Sequence, residues 1–221
     1  VGAFIDVYEE EARKAASASD MARASGHIIG PLQGIPVAVK DIIDIEGKIT
    51  TGGSMVWKDR RSTLTATLVR RMVEAGMIVF GKTHTVEFAM GSFGTNQHMG
   101  SPKNPWDLEE HRATGGSSAG TAAAVAAGLS PWGIGTDTGG SVRIPSAWCG
   151  LTGLKTSVGR ISTHGVLPLS HTLDTPGPMC RSVEDAAILY RILAGPDEQD
   201  SRTVIHPVED PFPELKNCLL Y

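Results

Sequence analysis

The stretch SSAGTAAAVAAGLSPWGIGTD, residues 117–137, sets the fold class. Its first part reads as a helix lined with alanine and capped by Ser117 or Ser118, and PWGIGTD reads as a strand. The alternation continues on both sides. Upstream, GIPVAVKDIIDI (34–45) is β-rich and follows loop chemistry in IIGPLQG. STLTATLVRRMVEAG (62–76) places Leu64, Leu68, Met72 and Ala75 at helical spacing and stops at Gly76, and MIVFGK (77–82) is a short buried strand. Residues 4 to about 24 read as a surface helix ending at Ser25-Gly26. Downstream, SVEDAAILYRILAG (182–195) is the clearest helix: Ser182 caps it, Asp185 follows three residues on, and Gly195 closes it. Strands alternating with helices predict an α/β fold, with a mixed, mostly parallel twisted β-sheet flanked by α-helices in a single domain over 1–221.

Composition narrows the function classes. The chain has 221 residues, 41% hydrophobic and 20% charged, as soluble globular proteins do. A formal charge of -4 without any run of Lys or Arg argues against nucleic acid and anionic membrane surfaces as partners. Cys149, Cys180 and Cys218 are odd in number and widely spaced, which suits reduced thiols in a cytoplasm better than a disulfide framework or a zinc site. No apolar stretch is long enough to span a bilayer, and VGAFIDVYEEEARKAA is acidic where a signal peptide is basic. The chain lacks an initiator Met, and PFPELKNCLLY ends it without a closing element. We therefore expect the N-terminal portion of a longer catalytic domain.

Two motif matches fail on physical grounds. GMIVFGKT (76–83) fits the P-loop pattern, but its variable positions make a continuous apolar strand where phosphate binding needs an open turn. GSSAG (116–120) fits a nucleophile elbow centred on Ser118. An elbow follows directly on a strand, whereas NPWDLEEHRATG before it is polar and turn-rich. The seven histidines show no ligand spacing, so no metal is expected.

Three places combine unusual backbone with able side chains. Lys40 ends IPVAVKD, a segment apolar on both faces; burial there favours the neutral amine, a competent general base, with Asp41 turned to the opposite face. The bland reading is a lysine that snorkels to water. TGGSSAG turns tightly into the Ala-rich helix, and as a local pattern it is a plain N-cap. In GTDTGGSVRIPSAWCG (135–150), Thr138, Gly139, Gly140 and Ser141 can aim successive N–H groups at one spot, while Asp137 and Arg143 can pair across the turn. Locally, turn and nucleophile stand level for Ser141.

Taken together, GIPVAVKD, GKTHTVEFAMGS and GGSSAG…GTDTGGSVRIPSAWCGLTGLKTSVGRIS resemble the amidase signature family from about Gly34 to Gly195. The resemblance extends to amidases and to the glutamine-hydrolysing subunit of tRNA-dependent amidotransferases. It implies a Ser–cis-Ser–Lys triad with Lys40 as base, Ser117 as bridging serine and Ser141 as nucleophile, the serines lying 24 positions apart. It further implies oxyanion-hole amides at Thr138, Gly139, Gly140 and Ser141, structural support from Ser118, Asp137 and Arg143, and substrate contacts at Met90, Gly91 and Gly116. No metal or organic cofactor is needed. The implied partner is a small-molecule amide, and a homodimer is open as an assembly. The sequence departs from the family in reading Ala119-Gly120 where a second glycine pair is usual, and in being about half as long.

Overall fold

The computed structural model describes residues 1–203, 208 and 210–217. Its centre is three parallel strands, β2 (Pro36–Lys40), β3 (Ile78–Thr83) and β4 (Trp132–Asp137). Val37, Ala38 and Val39 are fully buried and β4 is buried along its whole length, as the continuous apolar runs of strands covered on both faces require. β1 (Phe4–Val7) runs antiparallel to β3 at one edge. At the other edge β6 (Thr175–Cys180) runs antiparallel to β4, and the two-residue β5 (Thr152–Gly153) pairs with β6. The order is β1-β3-β2-β4-β6-β5, so four strands share one direction and β1 and β6 oppose it.

One face of the sheet carries α2 (Thr67–Glu74) and α5 (Val183–Leu193). Leu68, Met72, Leu189 and Leu193 pack there on Val37, Val39 and Ile134. The other face carries α3 (Ala119–Ala126) and α4 (Arg143–Cys149), where Ala122, Val142, Cys149 and Met179 form a smaller cluster. Residues 119–125 of α3 are all buried, and small side chains let the helix lie close to the strands. As expected, Ser182 caps α5 by accepting the Asp185 N–H at 3.1 Å. The segment 76–83 that mimics a P-loop holds β3 from Ile78 onward.

Several elements differ from the sequence expectation. Residues 4–7 are strand and not helix, because Phe4, Asp6 and Val7 pair with the open edge of β3 and the Phe4 ring packs on that of Phe80 at 5.3 Å; α1 begins only at Glu9 and runs to Ala24. The helix expected from residue 62 starts at Thr67. Tertiary bonds from Ala66 N–H to the Asp44 carbonyl and from Thr67 N–H to the His164 carbonyl hold the preceding chain extended. α4 and β6 have no counterpart in the sequence pattern. Pro145 sits in the first turn of α4, where no intrahelical N–H bond is due, and Gly150 ends it at φ 72°. In β6 the register places Gly177 opposite Gly135 and Thr175 opposite Asp137. The missing N–H groups of Pro176 and Pro178 thus turn to the side where β5 covers only two residues. The C-terminal stretch contains α6 (Phe212–Asn217), and Cys218 lies outside the described residues. Among the described residues no helix is long and apolar enough to cross a membrane.

Gly120 shows how tightly α3 is seated. A Cβ there would lie on the Ala3 carbonyl and the His84 N–H. Helix propensity alone makes Gly→Ala favourable by about 1 kcal/mol, whereas overpacking costs about 1–3 kcal/mol. The structure puts packing first. Gly120→Ala should lower the urea midpoint at unchanged m-value, and a raised midpoint would show that the helix sits farther from the sheet.

Candidate active site

The C-terminal ends of β2 and β4 bring the singled-out residues together, the edge at which open α/β sheets offer side chains to ligands. Lys40 is the last residue of β2 and is fully buried. Its Nζ donates to Ser117 Oγ at 2.7 Å and to Thr136 Oγ1 at 2.8 Å. Asp41 does not reach it. In register Val39 pairs with Lys82 and Lys40 with Thr83, so the two lysines face opposite ways, and Asp41 bonds Lys82 Nζ at 3.4 Å and the N–H and hydroxyl of Thr51. Burial pushes the Lys40 amine down, the more distant Asp137 and Asp174 pull it back, and the balance lies at about 7. Near neutral pH a substantial fraction is therefore free amine, with a hydroxyl already against it.

The serine pair divides its work. The Gly116–Ser117 peptide is cis. Ser117 is fully buried, with its hydroxyl on Lys40 and its carbonyl accepting the Val86 N–H at 3.2 Å. Ser118 stands at the N-cap of α3 but makes no capping bond with its side chain. Its hydroxyl instead exchanges bonds with the Thr136 N–H (3.2 Å) and carbonyl (3.3 Å), and its N–H donates to the Ser141 carbonyl at 3.2 Å. Ser118 thereby ties together the start of α3, the end of β4 and the turn that holds Ser141.

That turn is built around Asp137. Its carboxylate accepts the N–H groups of Gly140 (2.8 Å), Val142 (3.2 Å) and Arg143 (3.3 Å), together with Nε (3.0 Å) and Nη2 (2.9 Å) of Arg143. Burial works against the anion, but the bonds from Arg143 and from the backbone outweigh it and hold the carboxyl below its usual range. Gly140 has φ 136°, and a Cβ there would strike Ile144. One expectation needs correcting. The Gly140 N–H points at Asp137 and is not open to an oxyanion, whereas the N–H groups of Thr138, Gly139 and Ser141 donate to no other described residue. Ser141 is partly exposed, and its Oγ has no hydrogen-bond partner among the described residues.

Of the three residues expected beside substrate, Met90 is 72% exposed. Met90 and Gly91 line a groove of about 420 Å³ with Phe88 and Phe93; none of Lys40, Ser117 and Ser141 lines it. Gly116 lies behind, donating to the Ser92 carbonyl at 2.7 Å with no room for a Cβ against Gly91 and Gly94. Leading into the groove, Phe88 and Ala89 adopt left-handed backbone at φ 47° and 61°. No histidine ring, His164 and His171 included, bonds a hydroxyl of the site among the described residues. Sequence reasoning missed Thr136 and Asp174. Thr136 lies inside the singled-out stretch GTDTGG and Asp174 in HTLDTPGP (171–178), and nothing in their spacing sets them apart.

Comparison with known proteins places this geometry. The profile of the family described as Amidase matches residues 1–218. A glutamyl-tRNA(Gln) amidotransferase subunit of Roseiflexus sp. (strain RS-1) is 46% identical over 210 residues, 95% of this chain and 42% of that protein. The peptide amidase of Stenotrophomonas maltophilia matches with a TM-score of 0.88 at 39% identity, over 96% of this chain and 45% of its own. A structure from a protein complex tied to the origins of an s-triazine catabolic enzyme matches with a TM-score of 0.92 at 40% identity, over 97% and 47%. The chain thus spans less than half the length of these relatives. A profile that runs over nearly every residue and structures that superpose on the same mixed sheet lead to one statement: the chain belongs to the amidase family.

Proposed function

We propose that the protein hydrolyses a carbon–nitrogen bond of the amide type through a serine acyl-enzyme. The observation that carries this reading is the Lys40–Ser117 contact, a fully buried amine bonded only to hydroxyls among the described residues. Neutral Lys40 takes the Ser117 proton, and Ser117 takes the proton of Ser141 as Ser141 Oγ attacks the carbonyl carbon. The N–H groups of Gly139 and Ser141, with Thr138, receive the oxyanion, and Asp137 with Arg143 keeps their turn in shape. As the tetrahedral species collapses, the relayed proton leaves with the amine; water then attacks the acyl-enzyme and releases the acid. The groove at Met90 and Gly91, backed by Gly116, is the approach for the acyl or amine portion. Free, buried Cys149 and Cys180 suit a cytoplasm that keeps thiols reduced.

Within that chemistry we read the protein as a stand-alone amidase. A second reading, a glutamine-hydrolysing subunit that passes ammonia to partners, is favoured by the similarity to the glutamyl-tRNA(Gln) amidotransferase protein over 95% of this chain. A panel of glutamine, a simple primary amide, an anilide, a carbamate, a urea and an ester separates the two. Glutamine turnover that appears only with co-purified partners selects the second.

Ser141→Ala should abolish turnover, and a fluorophosphonate should label Ser141; labelling at Ser118 would overturn the assignment. Lys40→Ala should cost roughly 10²–10⁴-fold in kcat/KM, the usual range for a lost general base. Near-normal activity in that variant would point to another base, with His164 and His171 the first to examine.

The pH profile offers an independent check. The base works as free amine, so kcat/KM should fall as pH drops through about 7 and level off above it. A profile flat from pH 5 to 9 would exclude Lys40 as the titrating base.

A further inference from the structure

The two carboxylates whose charge acts on Lys40 have opposite circumstances. Asp137 is matched by Arg143. Asp174 is 6% exposed and makes no ion pair with a Lys, Arg or His among the described residues. One of its oxygens accepts the Thr138 hydroxyl; the other accepts the N–H groups of Leu169 (2.8 Å) and Ser170 (2.9 Å). A buried carboxylate without a cation is costly unless its bonds are well satisfied or a compensating charge stands nearby. A cavity of about 10 Å³ is lined by Asp174, Thr138 and Thr136, and Thr136 is the second partner of Lys40. Asp174 therefore touches the turn and the loop before β6, and it shares a cavity with Thr136, the residue that bonds the buried lysine.

Resting on the reading of Lys40 as base, we propose that Asp174 is a positioning residue for the reaction. It pins the turn at Thr138 and the loop at Leu169–Ser170 to one carboxylate, and with Asp137 it places negative charge within reach of Lys40 by way of Thr136, which lines the same cavity and bonds the amine. The other charged groups around it are already engaged or turned away. Asp137 pairs with Arg143, Asp41 with Lys82 on the far side of β2, and Asp200 with Arg202, whose guanidinium also holds the His171 carbonyl. His164 and His171 lie on the loop, His164 half-buried and His171 exposed. His84, after β3, is partly buried and neutral-leaning through burial.

Asn at 174 keeps the shape and removes the charge. With its carbonyl oxygen on the two loop N–H groups it turns an N–H toward Thr138, so that hydroxyl must change from donor to acceptor and the bond to an anion is lost. The test is the rate of Ser141 labelling by a fluorophosphonate, measured against pH on the full-length protein, which needs no knowledge of the substrate. Asp174→Asn should slow labelling about tenfold or more, the order expected when oxyanion donors lose their aim. It should also move the acid limb to lower pH, because removing an anion disfavours the ammonium. Thr138→Val should slow labelling without moving the limb, and Thr138→Ser should restore the rate. A folded Asp174→Asn with wild-type rate and limb overturns the proposal. If circular dichroism shows that Asp174→Asn does not fold, a wild-type rate in Thr138→Val overturns it. Lys40→Ala tells the two failures apart. Rapid labelling in that variant overturns the base assignment and this inference with it, whereas a dead Lys40→Ala beside an unmoved Asp174→Asn limb overturns this inference alone.

Discussion

The hydrogen bond between Lys40 Nζ and Ser117 Oγ, closed off from water, is the constraint around which the fold is arranged. A lysine this deep is tolerated when it gives up its proton, and burial brings it to about 7. The unfolded chain holds that proton up to near pH 10.5, so between about 7 and 10.5 folding releases it. Over that range this residue makes the fold more stable as pH rises. Geometry imposes further demands. Ser117 arrives from the start of α3, Thr136 from β4 and Lys40 from β2. The parallel pairing of β2 with β4 and the close seating of α3 are what let three chain segments meet at one amine.

A second buried lysine sharpens the point. Lys82 is as inaccessible as Lys40 but has Asp41 and the Thr50 hydroxyl for company. The residues Lys40 and Asp41 are neighbours in sequence, yet strand alternation sends them to different partners. The carboxylate that would have kept Lys40 charged is spent on Lys82. Among the described residues one sheet thus holds a lysine paired with a carboxylate and a lysine bonded only to hydroxyls.

The sequence showed the alternation of strands and helices because β2, β3, β4, α2, α3 and α5 each form from local pattern. It did not show elements that depend on who their neighbours are. β1 is strand because β3 has an open edge, and β6 accepts two prolines because β5 is short. The site follows the same division. Lys40, Ser117, Ser118, Asp137, Ser141 and Arg143 stand in motifs where glycine or apolar runs make a side chain conspicuous. Thr136 and Asp174 are ordinary residues in ordinary spacing, and their importance comes from a distance of one hydrogen bond across the fold.

Gly140 shows why spacing cannot finish such an argument. A run of four amides looks like one donor array, but Asp137 must hold the turn, and it does so through one of those amides. The carboxylate that shapes the array therefore removes a member from it. What remains is the pair on either side, Gly139 and Ser141, with Thr138 braced from behind by Asp174. The turn is thus held at two points by two anions. One is neutralised by Arg143. The other shares a small cavity with Thr136, the second partner of Lys40, so the contacts that hold the turn and those that hold the buried lysine meet across a single residue.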